Sequence, residues 1–181
     1  MVDEDKLIED LMDENSRKKA FSTLVSLYSQ RLYWHIRKIV LNHDDADDVL
    51  QNTFIKIWRN LDSFRAESGL YTWIYRIATN ESLTFLTKKK KTLLDRQDDM
   101  TEYFLGNIQT DPYFEGSEIQ RKLQEAIARL PEKQRLVFNM KYFDEIKYQD
   151  MVKILNTSEG ALKASFHHAV KKIEEYLKST D

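Results

Sequence analysis

Of 181 residues, only four are glycine and two are proline. Strand-rich chains turn every several residues and rely on Gly, Pro, Asn and Asp to do so, so a chain this poor in breakers must spend its length in helices. The apolar spacing agrees. From Phe21 onward, Leu24, Val25, Leu27, Tyr28, Leu32, Ile36, Ile39 and Val40 recur at three- and four-residue steps, one face of a long helix. Leu7, Ile8, Leu11 and Met12 mark a shorter helix before it. Asn42 and the acidic residues after it interrupt the stripe and supply a cap for a helix over about 44–60. That helix carries Ala46, Val49, Leu50, Thr53, Phe54, Ile57 and Trp58 on one face. Asp47, Asp48, Gln51, Asn52, Lys56 and Arg59 occupy the other. A loop over 61–69 precedes another helix, from about Leu70 to the lysine run 88–91.

Past this run the helical stripe fades, and Asp111-Pro112 and Gly116 punctuate the chain. The expectation is an all-α protein of two small domains, 1–91 and 117–181, joined by a flexible acidic linker over 92–116. Leu105, Ile108, Tyr113 and Phe114 are the residues by which that linker could dock. The second domain should open near Ser117, and Pro131 suits the first turn of its second helix. A short helix over 148–155, the polar turn Asn156-Thr157-Ser158 and a long helix over 159–177 spell a helix-turn-helix.

Charge is uneven although the net value is only −2. Residues 1–20 hold four basic and seven acidic side chains, and 21–91 hold eleven and seven. Residues 92–118 hold one and seven, and 119–181 hold twelve and nine. Two basic blocks flank an acidic connector, which suits two modules that meet a polyanion; ordinary solvated helix faces are the alternative. In the last helix Leu162, Phe166, Ala169, Ile173 and Leu177 share the core face. Lys163 and His167 then lie where base edges are read, and Lys171 and Lys172 where phosphates are met; the alternative is the solvated side of a plain bundle. In the first module Phe64, Tyr71, Trp73, Tyr75 and Phe85 interleave with Arg65 and Arg76, the composition of a surface that stacks unpaired bases. Trp73 and Ile77 fit the core, whereas Phe64 and Arg65, in the loop, are the expected exposed contacts.

Other chemistries find little support. The chain has no cysteine, hence no thiol nucleophile, disulfide or Cys-ligated zinc. His167 and His168 are adjacent and point about 100° apart on a helix, so no metal or cofactor is expected. The acidic run 44–48 reads as dipole capping. No phosphate loop or nucleophile elbow occurs, and no enzymatic activity is expected. The acidic N-terminus is not a signal peptide, and no stretch approaches the roughly 18 apolar residues of a spanning helix. A cytoplasmic protein without membrane insertion is expected.

The segment DDADDVLQNTFIKIWR (44–59) resembles conserved region 2.2 of sigma-70-type RNA polymerase sigma factors. Phe64 and the segment YTWIYRIATN (71–80) resemble regions 2.3 and 2.4. LPEKQRLVF (130–138) with the helix-turn-helix after it resembles region 4. Two modules without a region 3 match the compact extracytoplasmic-function group. The resemblance implies a transcription initiation factor that binds core RNA polymerase and directs it to promoter DNA. It implies docking on the β′ clamp helices through Asp48, Gln51, Asn52, Lys56 and Arg59. Recognition and melting of the −10 element would fall to Phe64, Arg65, Glu67, Ser68, Tyr71, Trp73, Arg76, Asn80 and Lys88. Reading of the −35 element would fall to Glu159, Lys163, Ala164, His167 and His168, with Lys171 and Lys172 on phosphates, and the same module would contact the β flap. An anti-sigma factor wedged between the modules would be a sensible off-switch. The alternative is a stand-alone helix-turn-helix transcriptional regulator, which has no use for a docking helix followed by an aromatic melting loop. Ala161, Ser165, His168 and Val170 stand where the family commonly has Thr or basic residues, so weak DNA binding by the free chain is expected.

Overall fold

The computed structural model describes residues 3–95, 99–111 and 116–180. Helix α1 (Glu4–Met12) begins at Asp3, whose carboxylate accepts the Asp5 N–H at 3.1 Å, and it buries Leu7 and Leu11. Helix α2 (Arg17–Val40) ends at Leu41, which turns left-handed at φ 56°. Asn42 then caps α3 (His43–Asn60) by accepting the Asp45 N–H at 3.0 Å, and Asp44 and Asp45 occupy its first turn. The acidic run thus satisfies a helix N-terminus and its dipole, as the spacing anticipates. A single 3-10 turn (Leu61–Ser63) leads into the loop 64–69, and α4 (Leu70–Asp95) follows. Glu4 reaches across to α4, its carboxylate accepting the Leu70 N–H at 3.2 Å.

The connector departs from expectation. Helix α4 continues past the lysine run to Asp95, and a further helix, α5 (Met100–Thr110), occupies what was expected to be flexible chain. Asp99 caps α5 by accepting the Thr101 N–H at 2.6 Å. Phe104 and Ile108 are buried, and the Tyr103 hydroxyl donates to Asp45 at 2.8 Å. Lys89 lies 4.8 Å above the Tyr103 ring. Eleven residues that bury only Phe104 and Ile108 fold as a helix because the surrounding helices give that weak stripe a place to pack. Leu105 is half-buried here, while Tyr113 and Phe114 lie outside the described residues.

The second module comprises α6 (Glu118–Ala128), α7 (Glu132–Tyr142), α8 (Tyr148–Leu155) and α9 (Glu159–Ser179). Ser117 and Gln120 form a reciprocal capping box at α6. Asn156 ends α8 in the left-handed region at φ 49°, and Ser158 caps α9 through the Ala161 N–H at 3.3 Å. Phe138, Ile127, Leu130, Ala169 and Ile173 make a core of their own.

The two modules are not independent bodies on a string. Leu136, Val137, Met140, Ile146, Met151, Ile154 and Leu162 belong to one continuous apolar cluster with Leu32, Ile36, Leu70 and Ile74 of the first module. Fully burying one such side chain contributes about 1.5–3 kcal/mol, whereas an exposed ion pair such as Arg17–Asp62 contributes about 0–1 kcal/mol. Shared apolar burial therefore holds the modules together.

Candidate nucleic-acid interface

Three surfaces carry the polar side chains that the sequence singles out. On α3, burial of Ala46, Val49, Thr53 and Ile57 turns the opposite face outward. Asp48, Gln51, Asn52, Lys56 and Arg59 are all exposed there, as expected. Lys56 is ion-paired with Glu81 of α4, which ties this face to the next helix. Trp58 and Ile55 remain 38% and 43% exposed beside it, and Trp58 packs edge-on against Phe21 at 5.0 Å. Trp58 is therefore only partly a core residue.

The second surface is the loop 64–69 with α4. Arg65, Glu67, Arg76, Asn80 and Lys88 are exposed, and Ser68 is half-buried. Phe64 differs from expectation: it is buried, its ring 5.0 Å from that of Trp73. Leu61 and Leu70 are buried on either side of the loop, so its aromatic residue turns inward where polar neighbours turn outward. Trp73 is buried, as its helical spacing implies. The Tyr71 and Tyr75 rings lie 4.3 Å apart at a tilt of 33°, and burial, reinforced by the charge of Asp144, pushes the Tyr71 hydroxyl up to about 12. Burial also raises Tyr75. Both hydroxyls stay protonated at neutral pH and act as neutral hydrogen-bonding groups.

The third surface is the exposed side of α9, where Glu159, Lys163, Ala164, His167, His168, Lys171 and Lys172 all face solvent. Lys163 bonds Glu159 at 2.6 Å, and that hydrogen bond and charge raise its ammonium above the ordinary lysine value. Its charge is thus secure for contact with an anion or a base edge.

Between these surfaces lies a polar network that the sequence did not single out. The His35 ring bonds Asp144 through Nδ1 at 2.7 Å and Thr79 through Nε2 at 2.8 Å. The Thr79 hydroxyl already donates to the Tyr75 carbonyl at 2.7 Å, so toward the ring it acts as acceptor. Lys38 also pairs with Asp144, and Asn139 Nδ2 donates to the Lys38 carbonyl at 3.1 Å. Burial pushes the Asp144 carboxyl up, but the hydrogen bond and charge of His35, with Lys38 beside it, outweigh this and hold it below the ordinary range. Arg37 pairs with Asp111 at the end of the connector. Arg135 lies 4.4 Å over the Phe104 ring, and burial brings its guanidinium down to about 10. The one signal was His35 itself, a polar residue on a buried apolar stripe. Its partner stands 109 positions away, beyond the reach of any local pattern.

Among the described residues no group of His, Asp or Glu side chains could hold a metal, and no helix is long and apolar enough to cross a membrane.

Both modules are similar to known proteins. Sigma-70 region 2 matches residues 24–92, and sigma-70 region 4 matches residues 120–173. The ECF RNA polymerase sigma-E factor of Haemophilus influenzae is 31% identical over 168 residues, 88% of each chain. The ECF sigma factor SigW of Bacillus subtilis is 29% identical over 167 residues, covering 88% of this chain and 89% of that one. In fold, the chain resembles the sigma factor RpoE solved in complex with the anti-sigma factor NepR from Bartonella quintana. The TM-score is 0.71 at 24% identity, over 88% of this chain and 98% of that one. CnrH, solved with the cytosolic domain of CnrY, gives 0.70 at 18% identity, over 98% and 99%.

Proposed function

Because this chain belongs to the sigma-70 family, in its extracytoplasmic-function group, it binds core RNA polymerase and directs promoter recognition and transcription initiation, and we propose which residues divide that work. Asp48, Gln51, Asn52, Lys56 and Arg59 on α3 dock the chain on the β′ clamp helices. Arg65, Glu67, Ser68, Arg76, Asn80 and Lys88 engage the −10 element beside the half-buried Tyr71, and Phe64 and Trp73, packed on each other, hold the loop that presents them. Glu159, Lys163, Ala164, His167 and His168 read −35 base edges in the major groove, and Lys171 and Lys172 meet phosphates. The working domains are 1–91 and 117–181, and the second also contacts the β flap.

The observation that supports this division is the exposure of two separate polar stripes, on α3 and α9, inside the stretches matched by regions 2 and 4. A stand-alone regulator would need the second stripe and not the first. Sigma factors direct an enzyme without being one, so the chain has no catalysis of its own in this reading, and it works in the cytoplasm beside core polymerase. An anti-sigma factor, the class of partner bound by the Bartonella relative, is the protein expected to restrain it.

Reconstitution with bacterial core polymerase on a genomic-fragment library tests the assignment. Promoter-dependent transcripts are expected, and Gln51→Ala with Arg59→Ala should weaken core binding about 10-fold or more. Normal core binding by that double variant would remove α3 from the docking surface.

A further inference from the structure

Helix α1 carries none of the assignments above, and it lies upstream of residues 24–92, the stretch that region 2 matches. It is nonetheless fastened to both ends of the loop 64–69. Leu7 and Leu11 of α1 are buried in the same apolar cluster as Leu61 and Leu70, which stand before and after that loop. At the loop's exit, Glu4 accepts the Leu70 N–H at 3.2 Å. Gly69 stands there where a helix ordinarily carries a Ser, Thr, Asp or Asn cap. Its carbonyl accepts the Trp73 N–H at 3.2 Å, but it has no side chain to offer the free N–H groups of the first turn. Helix α4 instead takes a carboxylate from 66 positions upstream, at the positive end of its dipole. At the loop's entrance, Arg17 pairs with Asp62 of the 3-10 turn at 2.8 Å. The same guanidinium holds the last carbonyls of α1, donating to Leu11 at 2.9 Å and to Met12 at 3.4 Å. Between these two fastenings the chain turns at Ala66, with φ 54°, and Arg65 and Glu67 on either side of it are exposed.

Neither tie contributes much to global stability, since Glu4 and Asp62 both stand at the surface. Two ties at opposite ends of one short loop do something else. They fix where the loop's polar side chains stand relative to Arg76 and Asn80 on α4. A loop already held in its binding shape has less freedom left to lose when a ligand arrives. We propose that Glu4 and Arg17 are positioning residues for the −10 element, and that α1 is a strap holding the loop in the shape in which Arg65, Glu67 and Ser68 meet the strand. This rests on the −10 assignment made above.

The test separates holding the loop from capping the helix. Holoenzyme reconstituted with the full chain is titrated with the −10 non-template strand of a promoter that reconstitution defines, and with the −35 duplex of the same promoter. Glu4→Ala and, separately, Arg17→Ala should weaken −10 strand binding about 5-fold or more and leave the −35 duplex unchanged. Glu4→Gln, which keeps an oxygen acceptor, should stay within about 2-fold of the parent. Adding Gly69→Ser to Glu4→Ala gives α4 a local cap, and there is room for it, because a Cβ at position 69 would come no nearer than 3.7 Å to the Glu4 carboxylate. That double variant should regain the melting temperature and not the −10 affinity. In the free chain, hydrogen exchange at the Leu70 amide should quicken roughly 10-fold in Glu4→Ala. Exchange at the Ala46 amide, bonded to the Asn42 carbonyl at the start of α3, should not change. Parental −10 affinity in either alanine variant would overturn the proposal, as would its recovery with Gly69→Ser, which would reduce Glu4 to a cap. A chain that drives no promoter would remove the −10 assignment instead, and the Leu70 exchange rate would still judge whether α1 fastens the loop.

Discussion

His35 lies on α2 between the buried Leu32 and Ile39, and it is 1% exposed. A polar ring so placed must have its nitrogens satisfied, and Thr79 and Asp144 satisfy them. The sign of the pH dependence follows from Asp144. Its carboxyl is held below the ordinary range in the folded chain, so its ionised form contributes stability above the unfolded value near 3.9. That contribution disappears as pH falls through the folded value. Urea unfolding should show Asp144→Asn less stable than the parent at pH 7, with the gap closing below about pH 4. A gap that persists undiminished at pH 3 would place the stabilisation in shape and not in charge. On α9, Lys163→Ala should change −35 base preference, measured across a panel of sequences. Lys171→Ala should instead weaken binding evenly and lower the salt slope by about 1. Equal losses at every sequence for Lys163→Ala would move that residue from base edge to phosphate.

Helices begin and end here where short-range chemistry says they should. Asn42 caps α3 as the sequence anticipates, Ser158 caps α9 from within the polar turn, Ser117 caps α6 where the second module was expected to open, and Pro131 stands immediately before α7. The helix-turn-helix turn is held by Asn156 at φ 49°, a conformation that costs most residues about 1–2 kcal/mol and suits Gly or Asn. Thermal melts should find Asn156→Gly within about 1 kcal/mol of the parent and Asn156→Val at least about 1 kcal/mol less stable. Helix α5 was not legible, because its 11 residues carry a weak stripe and its stability comes from what it packs on. Phe104 is 2% exposed and lies beneath Arg135 of the second module, so Phe104→Ala should cost about 3–5 kcal/mol in urea unfolding. A loss under 1 kcal/mol would mean that the connector does not staple the modules. Phe64 was misjudged for the same kind of reason: a loop position suggested exposure, while Trp73, nine residues on, supplied a ring to pack against.

At the scale of the whole molecule the two modules share one apolar core, and the polar stripe of α9 faces solvent. X-ray scattering of the free protein should give a radius of gyration of about 16 Å, and a value well above 20 Å would mean that the modules separate in solution. What the sequence by itself determined is everything governed by neighbours within about four residues: helical periodicity, caps, the helix-turn-helix turn and the motifs that carry family membership. It also determined which residues present polar stripes on α3 and α9, since a helix with one apolar face has only one other to expose. Tertiary structure alone decided that the acidic connector folds, that Phe64 turns inward, and that Asp144 meets His35 across 109 positions. Those outcomes depend on which surfaces pack together. A helix stripe says that a face must be buried, and only the assembled core says against what.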